Sequence, residues 1–127
     1  MIASHPIKDI WPVILPEIEA LHRRFAAHLD WQPNDVFVAL WSNRAFLFCN
    51  DDDGSFCVCK TKYRGACKIL FIWIGCGPTG KMSQNLELAR EIARNVGACR
   101  IEWESPRRGF DRVKVCQRGM TTYSMEA

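Results

Sequence analysis

Apolar residues recur at spacings of three and four from about Asp9 to Leu29. Ile14, Ile18, Leu21, Phe25 and Leu29 make one helical stripe. Pro12 and Pro16 suit only first-turn positions or a break, so the pattern predicts a helix that properly starts near Pro16. Glu17 and Glu19 then lie in its first turn, where the macrodipole favours them. Gln32-Pro33-Asn34 predicts a loop, with Asn34 or Asp35 capping a short second helix through Leu40 and Trp41. From Ala45 the period shortens. Ala45–Cys49, Phe56–Lys62 and Lys68–Ile74 read as strands, and Asn50 to Gly54 and Tyr63-Arg64-Gly65 read as turns. Phe56, Val58 and Lys60 alternate with Cys57, Cys59 and Thr61, as on a strand with two different faces. A glycine-rich loop, Gly75 to Lys81, precedes a helix from Ser83 to about Val96 with an apolar face of Leu86, Ala89, Ile92, Ala93 and Val96. Gly97 stops it. Cys99–Glu104 reads as a strand and Ser105–Gly109 as a turn. Val113–Cys116 and Met120–Ser124 read as a closing hairpin through Gln117-Arg118-Gly119.

With 127 residues the chain is one domain, residues 1–127. Hydrophobic residues make up 48%, and seven Phe, five Trp and two Tyr suffice for a core, which excludes a disordered tail. The longest uncharged apolar run, Ile69 to Cys76, is too short to span a bilayer. The first sixteen residues carry charges and prolines and lack a signal-peptide core, so the expected compartment is cytoplasm. Seven cysteines without a C-x-x-C pair then read as reduced, buried thiols. The net charge of +3 divides unevenly, with −4 over residues 1–56 and +7 over residues 57–127. The basic half can attract an acidic partner or phosphates. Nucleic acid is possible but unspecific, because no recognition signature accompanies the charge.

The element order has a meander, a strand leading through a Gly-rich loop into a helix, then another strand. It resembles the GNAT acyltransferase core. The stretch from Leu86 to Trp103 resembles the cofactor-side helix and fifth strand of that fold. Pro106-Arg-Arg-Gly-Phe-Asp-Arg resembles the turn that follows in small phage-encoded GNAT-like proteins. The resemblance implies an α/β fold: a mixed, mostly antiparallel sheet with helices on both faces. It also implies acetyl-CoA as the cofactor of an enzyme of this type. Gly77, Gly80, Lys81 and the Ser83 cap would hold its phosphates at a helix N-terminus.

Several residues depart from a working acyltransferase. The Gly75–Ser83 loop lacks the Gln or Arg of the family's pyrophosphate pattern, and Pro78 removes an amide. Lys68–Ile74 has no carboxylate to act as general base, and Ser105–Phe110 has no Tyr to act as general acid. The loop also resembles a Walker A motif, but Met82 stands where Ser or Thr should bind Mg²⁺. Its G-x-G-x-x-G spacing follows a meander, whereas a dinucleotide site needs a βαβ unit. Cys49, Cys57, Cys59 and Cys67 lack zinc-knuckle spacing and read as packing groups. His5, His22 and His28 read as surface residues. No metal site is expected, and Asp51-Asp52-Asp53-Gly54 reads as a hairpin tip.

The expectation is a phage protein of GNAT fold, catalytically degenerate. It would act in a virion or its assembly through contacts with other phage structural proteins or copies of itself. An acetyl-CoA-dependent N-acyltransferase is the alternative, and a small modulator of a host protein is a further one. Arg107, Arg108, Arg112, Lys114 and Arg118 place five cations within twelve residues and are the expected partner-binding segment. The expected location is a virion or the host cytoplasm, without membrane contact.

Overall fold

A computed structural model describes residues 2–3, 6–77, 82–104, 117–119 and 122–126. The elements run β1 (Ile2–Ala3), α1 (Ile7–Phe25), α2 (Pro33–Trp41), β2 (Phe46–Asn50), β3 (Ser55–Arg64), β4 (Cys67–Cys76), α3 (Met82–Val96), β5 (Arg100–Glu104), β6 (Gln117–Gly119) and β7 (Thr122–Glu126). They form one seven-stranded sheet in the order β1-β2-β3-β4-β5-β7-β6. Only β4 and β5 are parallel, joined by α3 as the crossover. The other neighbours are antiparallel. The expected fold class is therefore found: a mixed, mostly antiparallel sheet with helices on both faces.

Strand alternation divides the core. Phe56 and Val58 of β3 join Leu47, Cys49 and Ile74 beneath α1 and α2, packed by Ile14, Ile18, Val36, Ala39 and Leu40. Cys57 and Cys59 point to the other face with Leu70 and Ile72, where Leu86, Ala89, Ile92 and Ala93 of α3 cover Ile101, Trp103 and Met125. Of the five Trp, Trp31 and Trp103 are buried and Trp41 is 61% exposed.

The first helix differs from expectation. It begins at Ile7 and runs through Pro12 and Pro16, with Asp9 in its first turn in place of Glu17 and Glu19. The two prolines lie four residues apart on the exposed side. The amide bonds they forgo therefore face water, which can satisfy the freed carbonyls. Meanwhile Ile7, Ile10, Trp11, Ile14 and Ile18 pack on the core continuously across the prolines. Asp35 does cap α2, but from inside its first turn. Its carboxylate accepts the Gln32 amide at 2.8 Å. The β2–β3 turn carries Asp51 to Gly54, with Gly54 at φ +74°. Gln117-Arg118-Gly119, expected as a turn, is strand β6, and Val113–Cys116 lies outside the described residues.

The expected set of seven reduced thiols is also corrected. Cys67, at the start of β4, is bonded to Cys99, just before β5, with the Cα atoms 6.2 Å apart. The parallel pairing brings them together, since the Cys99 amide donates to the Lys68 carbonyl at 2.9 Å. Cys49, Cys57 and Cys59 are free thiols.

Candidate functional site

β4 and β5 run side by side from Ile69↔Arg100 to Ile72↔Trp103. β4 then continues through Trp73, Ile74, Gly75 and Cys76 beyond this pairing, still held by β3 on its other edge. The register slips at the same level. Val58 faces Ile74 and Cys59 faces Ile72, so Trp73 is an extra residue in the strand. Such a bulge bends its strand and re-aims side chains, and bulges concentrate next to active sites. The carboxyl ends of parallel strands are where open α/β sheets receive ligands. From there the chain passes Gly77 toward α3, whose first turn has no acidic residue. That leaves the helix N-terminus suited to an anion.

Gly77 has a packing reason for being glycine. A Cβ there would stand 2.8 Å from the Ser55 Cβ, so the loop closes directly onto the first residue of β3. At Gly75 a Cβ would meet nothing within 4 Å. We expect Gly77→Ala to lower the unfolding free energy by about 1–3 kcal/mol. Gly75→Ala should stay within about 0.5 kcal/mol. Urea unfolding of both variants checks this, and equal losses would show that Ser55 gives way freely. Of the other expected phosphate-binding residues, Gly80 and Lys81 lie outside the described residues. Ser83 is in the first turn of α3.

A cluster that the sequence reading did not select lies on the sheet face shared with α1 and α2. Past Val58, the residues of β3 on this face are Lys60, Lys62 and Arg64. Beside them stand Phe71 and Trp73 of β4 and Glu102 of β5. Arg64 donates two hydrogen bonds to Glu102, Nη1 to Oε2 at 2.6 Å and Nη2 to Oε1 at 3.2 Å. Lys62 Nζ lies 3.1 Å from Oε1. Lys62 also sits over the Phe71 ring at 4.7 Å, and Lys60 over the Trp73 ring at 3.7 Å. The Glu102 side chain is only 4% exposed, whereas those of Lys62 and Arg64 are 45% and 67% exposed. Burial alone would raise the Glu102 pKa. The hydrogen bonds from Arg64 and Lys62 outweigh burial and hold it below the usual carboxylate value. The signal was in the sequence: Glu102 alternates with the apolar Ile101 and Trp103, and the three cations occupy every second position.

The remaining candidates divide. Arg107, Arg108, Arg112 and Lys114 lie outside the described residues, and Arg118 is on β6. Cys49 and Cys59 are poor nucleophiles. The neighbouring Cys57 sulfur, 3.5 Å away, and burial push Cys59 well up, and burial raises Cys49. Among the described residues no group of three His, Cys, Asp or Glu is arranged to hold a metal. No described helix is long and apolar enough to cross a membrane.

Solved structures with this architecture include a probable acetyltransferase, with a TM-score of 0.65 and 11% identity, covering 94% of this chain and 91% of that one. A GNAT-family acetyltransferase from Listeria monocytogenes has a TM-score of 0.64 and 8% identity, covering 100% and 94%. A tetramutant of a Bacillus halodurans protein has a TM-score of 0.58 and 12% identity, covering 90% and 87%. No family model matches the sequence, and no curated protein matches it. At these identities the likeness shows the fold: the chain has a GNAT-like architecture.

Proposed function

We propose that this GNAT-fold chain works through protein contacts rather than acyl transfer, as a phage protein of the virion or its assembly. The observation that carries the reading is the charge on the sheet face shared with α1 and α2, where Lys60 lies next to the parting of β4 and β5 and Lys62 and Arg64 lead away from it. An N-acyltransferase must receive an amine, which is an ammonium ion near neutral pH, and remove its proton. Lys60, Lys62 and Arg64 repel a cation on that face, with one carboxylate among them in the described side chains. That carboxylate, Glu102, is held ionised by two of the three, which makes it a weak base. The sequence adds no carboxylate on β4 and no Tyr in 105–110. The segment Arg107, Arg108, Arg112, Lys114 and Arg118 supplies a further cationic surface for protein partners, whether other phage structural proteins or copies of this chain. The location that follows is the virion or the host cytoplasm.

The parting of β4 and β5 ahead of α3 favours the alternative, an acetyl-CoA-dependent N-acyltransferase. Gly77, Gly80, Lys81 and Ser83 would then hold the cofactor, which supplies an acyl thioester. Two measurements separate the readings. With acetyl-CoA and a panel of amines, we expect no thiol release above the protein-free rate. Turnover that disappears in Lys81→Ala would establish the alternative. In purified particles, the chain should be present, and Arg107→Glu with Arg108→Glu should abolish its incorporation while the fold persists. Normal incorporation of the folded double variant would remove that segment from the contact.

A further inference from the structure

Three cations at alternate positions of one strand face the same way. On an extended strand such positions are about 6.6 Å apart. Lys60, Lys62 and Arg64 therefore form a straight row of positive charge along β3, on the half of the sheet beyond Val58. Among the described side chains one carboxylate, Glu102, stands against the three. Its bonds use two of the five guanidinium hydrogens of Arg64 and one of the three ammonium hydrogens of Lys62. Lys60 has the Trp73 ring and, among the described residues, no carboxylate. Among the described side chains the row thus keeps an excess of two positive charges and several donors on groups that are partly exposed. The carboxylate beneath fixes Arg64 and Lys62 in place, so little side-chain freedom remains to be lost on binding.

We propose that this row docks an extended acidic segment of a partner protein, one that presents carboxylates at every second residue. An extended chain repeats at the same 6.6 Å, so three of its carboxylates can meet Lys60, Lys62 and Arg64 in register. A single-stranded nucleic acid fits less well. Its binding depends on open aromatic faces for base stacking, and here lysine ammonium groups already lie over Trp73 and Phe71. The inference rests on the protein-contact reading above and names the kind of partner. Its residues are other than those of the segment around Arg107.

The probe is a labelled, end-blocked nonapeptide with Glu at three alternate positions and Thr between them. The comparison peptide has the same composition with its three Glu contiguous. Fluorescence anisotropy with the full chain should favour the alternating peptide at least fivefold. Lys60→Glu should weaken it tenfold or more, whereas the pair Thr61→Glu and Tyr63→Glu, the same change of two charges on the opposite, exposed face of β3, should leave it within twofold. Binding should also alter Trp73 emission, seen as a difference against Trp73→Phe. Equal losses from Lys60→Glu and from that pair would reduce the effect to net charge and overturn the proposal. So would a single-stranded oligonucleotide that binds more tightly than the peptide and loses affinity in Lys60→Glu, or sedimentation showing that Lys60→Glu only dissolves a self-associated form. Thiol release from acetyl-CoA, measured in parallel, tests the protein-contact reading separately. A chain that turns over acetyl-CoA yet binds the alternating peptide keeps the docking row and loses that reading.

Discussion

Replacing both Lys62 and Arg64 by Ala should lower the unfolding free energy by about 3 kcal/mol at pH 7. The double variant leaves the Glu102 carboxylate buried without its cations, and an uncompensated buried charge costs about 3–5 kcal/mol. The lower end applies because the two cations are themselves half-exposed, so water can partly replace them. The pH dependence should change sign as well. In the native chain the folded pKa of Glu102 lies below its ordinary value of 4.5. Its pairing therefore stabilises the fold above that value, and the contribution is lost as pH falls through the lowered one. Without the cations burial prevails and the folded pKa moves above 4.5. The carboxyl then favours the folded state only when protonated, so lowering the pH from 7 to 5 should stabilise the variant relative to the native chain. Adding Glu102→Leu should restore most of the loss and flatten the profile, since removing a buried ion together with its partners is close to neutral. Urea unfolding at pH 5 and pH 7 reads all of this. A loss under about 0.5 kcal/mol, or an unchanged pH profile, would show that Glu102 is hydrated in the folded state.

What the sequence revealed, and what it hid, follows the range of the interactions. The β2–β3–β4 meander was legible because alternation and turn residues are local, down to Gly54 and Gly65 at positive φ. α3 was legible because Leu86, Ala89, Ile92 and Ala93 carry its period. The start of α1 was not, because local propensity counts two prolines against a helix whose opposite face is continuously buried. Strand β1 escaped because two residues carry no periodicity, and its pairing with Cys49 and Asn50 is long-range. Glu102 was passed over for a related reason. The carboxylate search followed Lys68–Ile74, where the resemblance led it to expect a general base, while β5 places a carboxylate one strand away with its partners on β3. Gly77 was legible as a glycine in a phosphate-type loop. Its contact with Ser55 needed the three-dimensional approach of the loop to β3.

The disulfide was the least legible feature and should have the largest effect on stability. Cys67 and Cys99 are separated by 32 residues and by the whole of α3. Nothing in their spacing marks them as a pair until the crossover sets β4 and β5 in parallel. Closing a loop of that length restricts the unfolded chain and should contribute about 3–4 kcal/mol. Reductant, or Cys67→Ser with Cys99→Ser, should lower the unfolding free energy by that amount. Because the effect acts on the unfolded ensemble, native contacts should stay as they are. The denaturant slope should rise, since the uncrosslinked chain expands and exposes more surface. Cys99 is exposed, so reductant should reach the bond without prior unfolding. The serine double variant should be indifferent to reductant, which separates this bond from any effect on Cys49, Cys57, Cys59 or Cys76. The bond also bears on the compartment. A cytoplasm that keeps thiols reduced would hold the chain in its less stable form, and an oxidising surrounding after release from the cell would close the clasp. Native stability that does not respond to reductant, measured by urea unfolding, would show that the two thiols do not pair in solution.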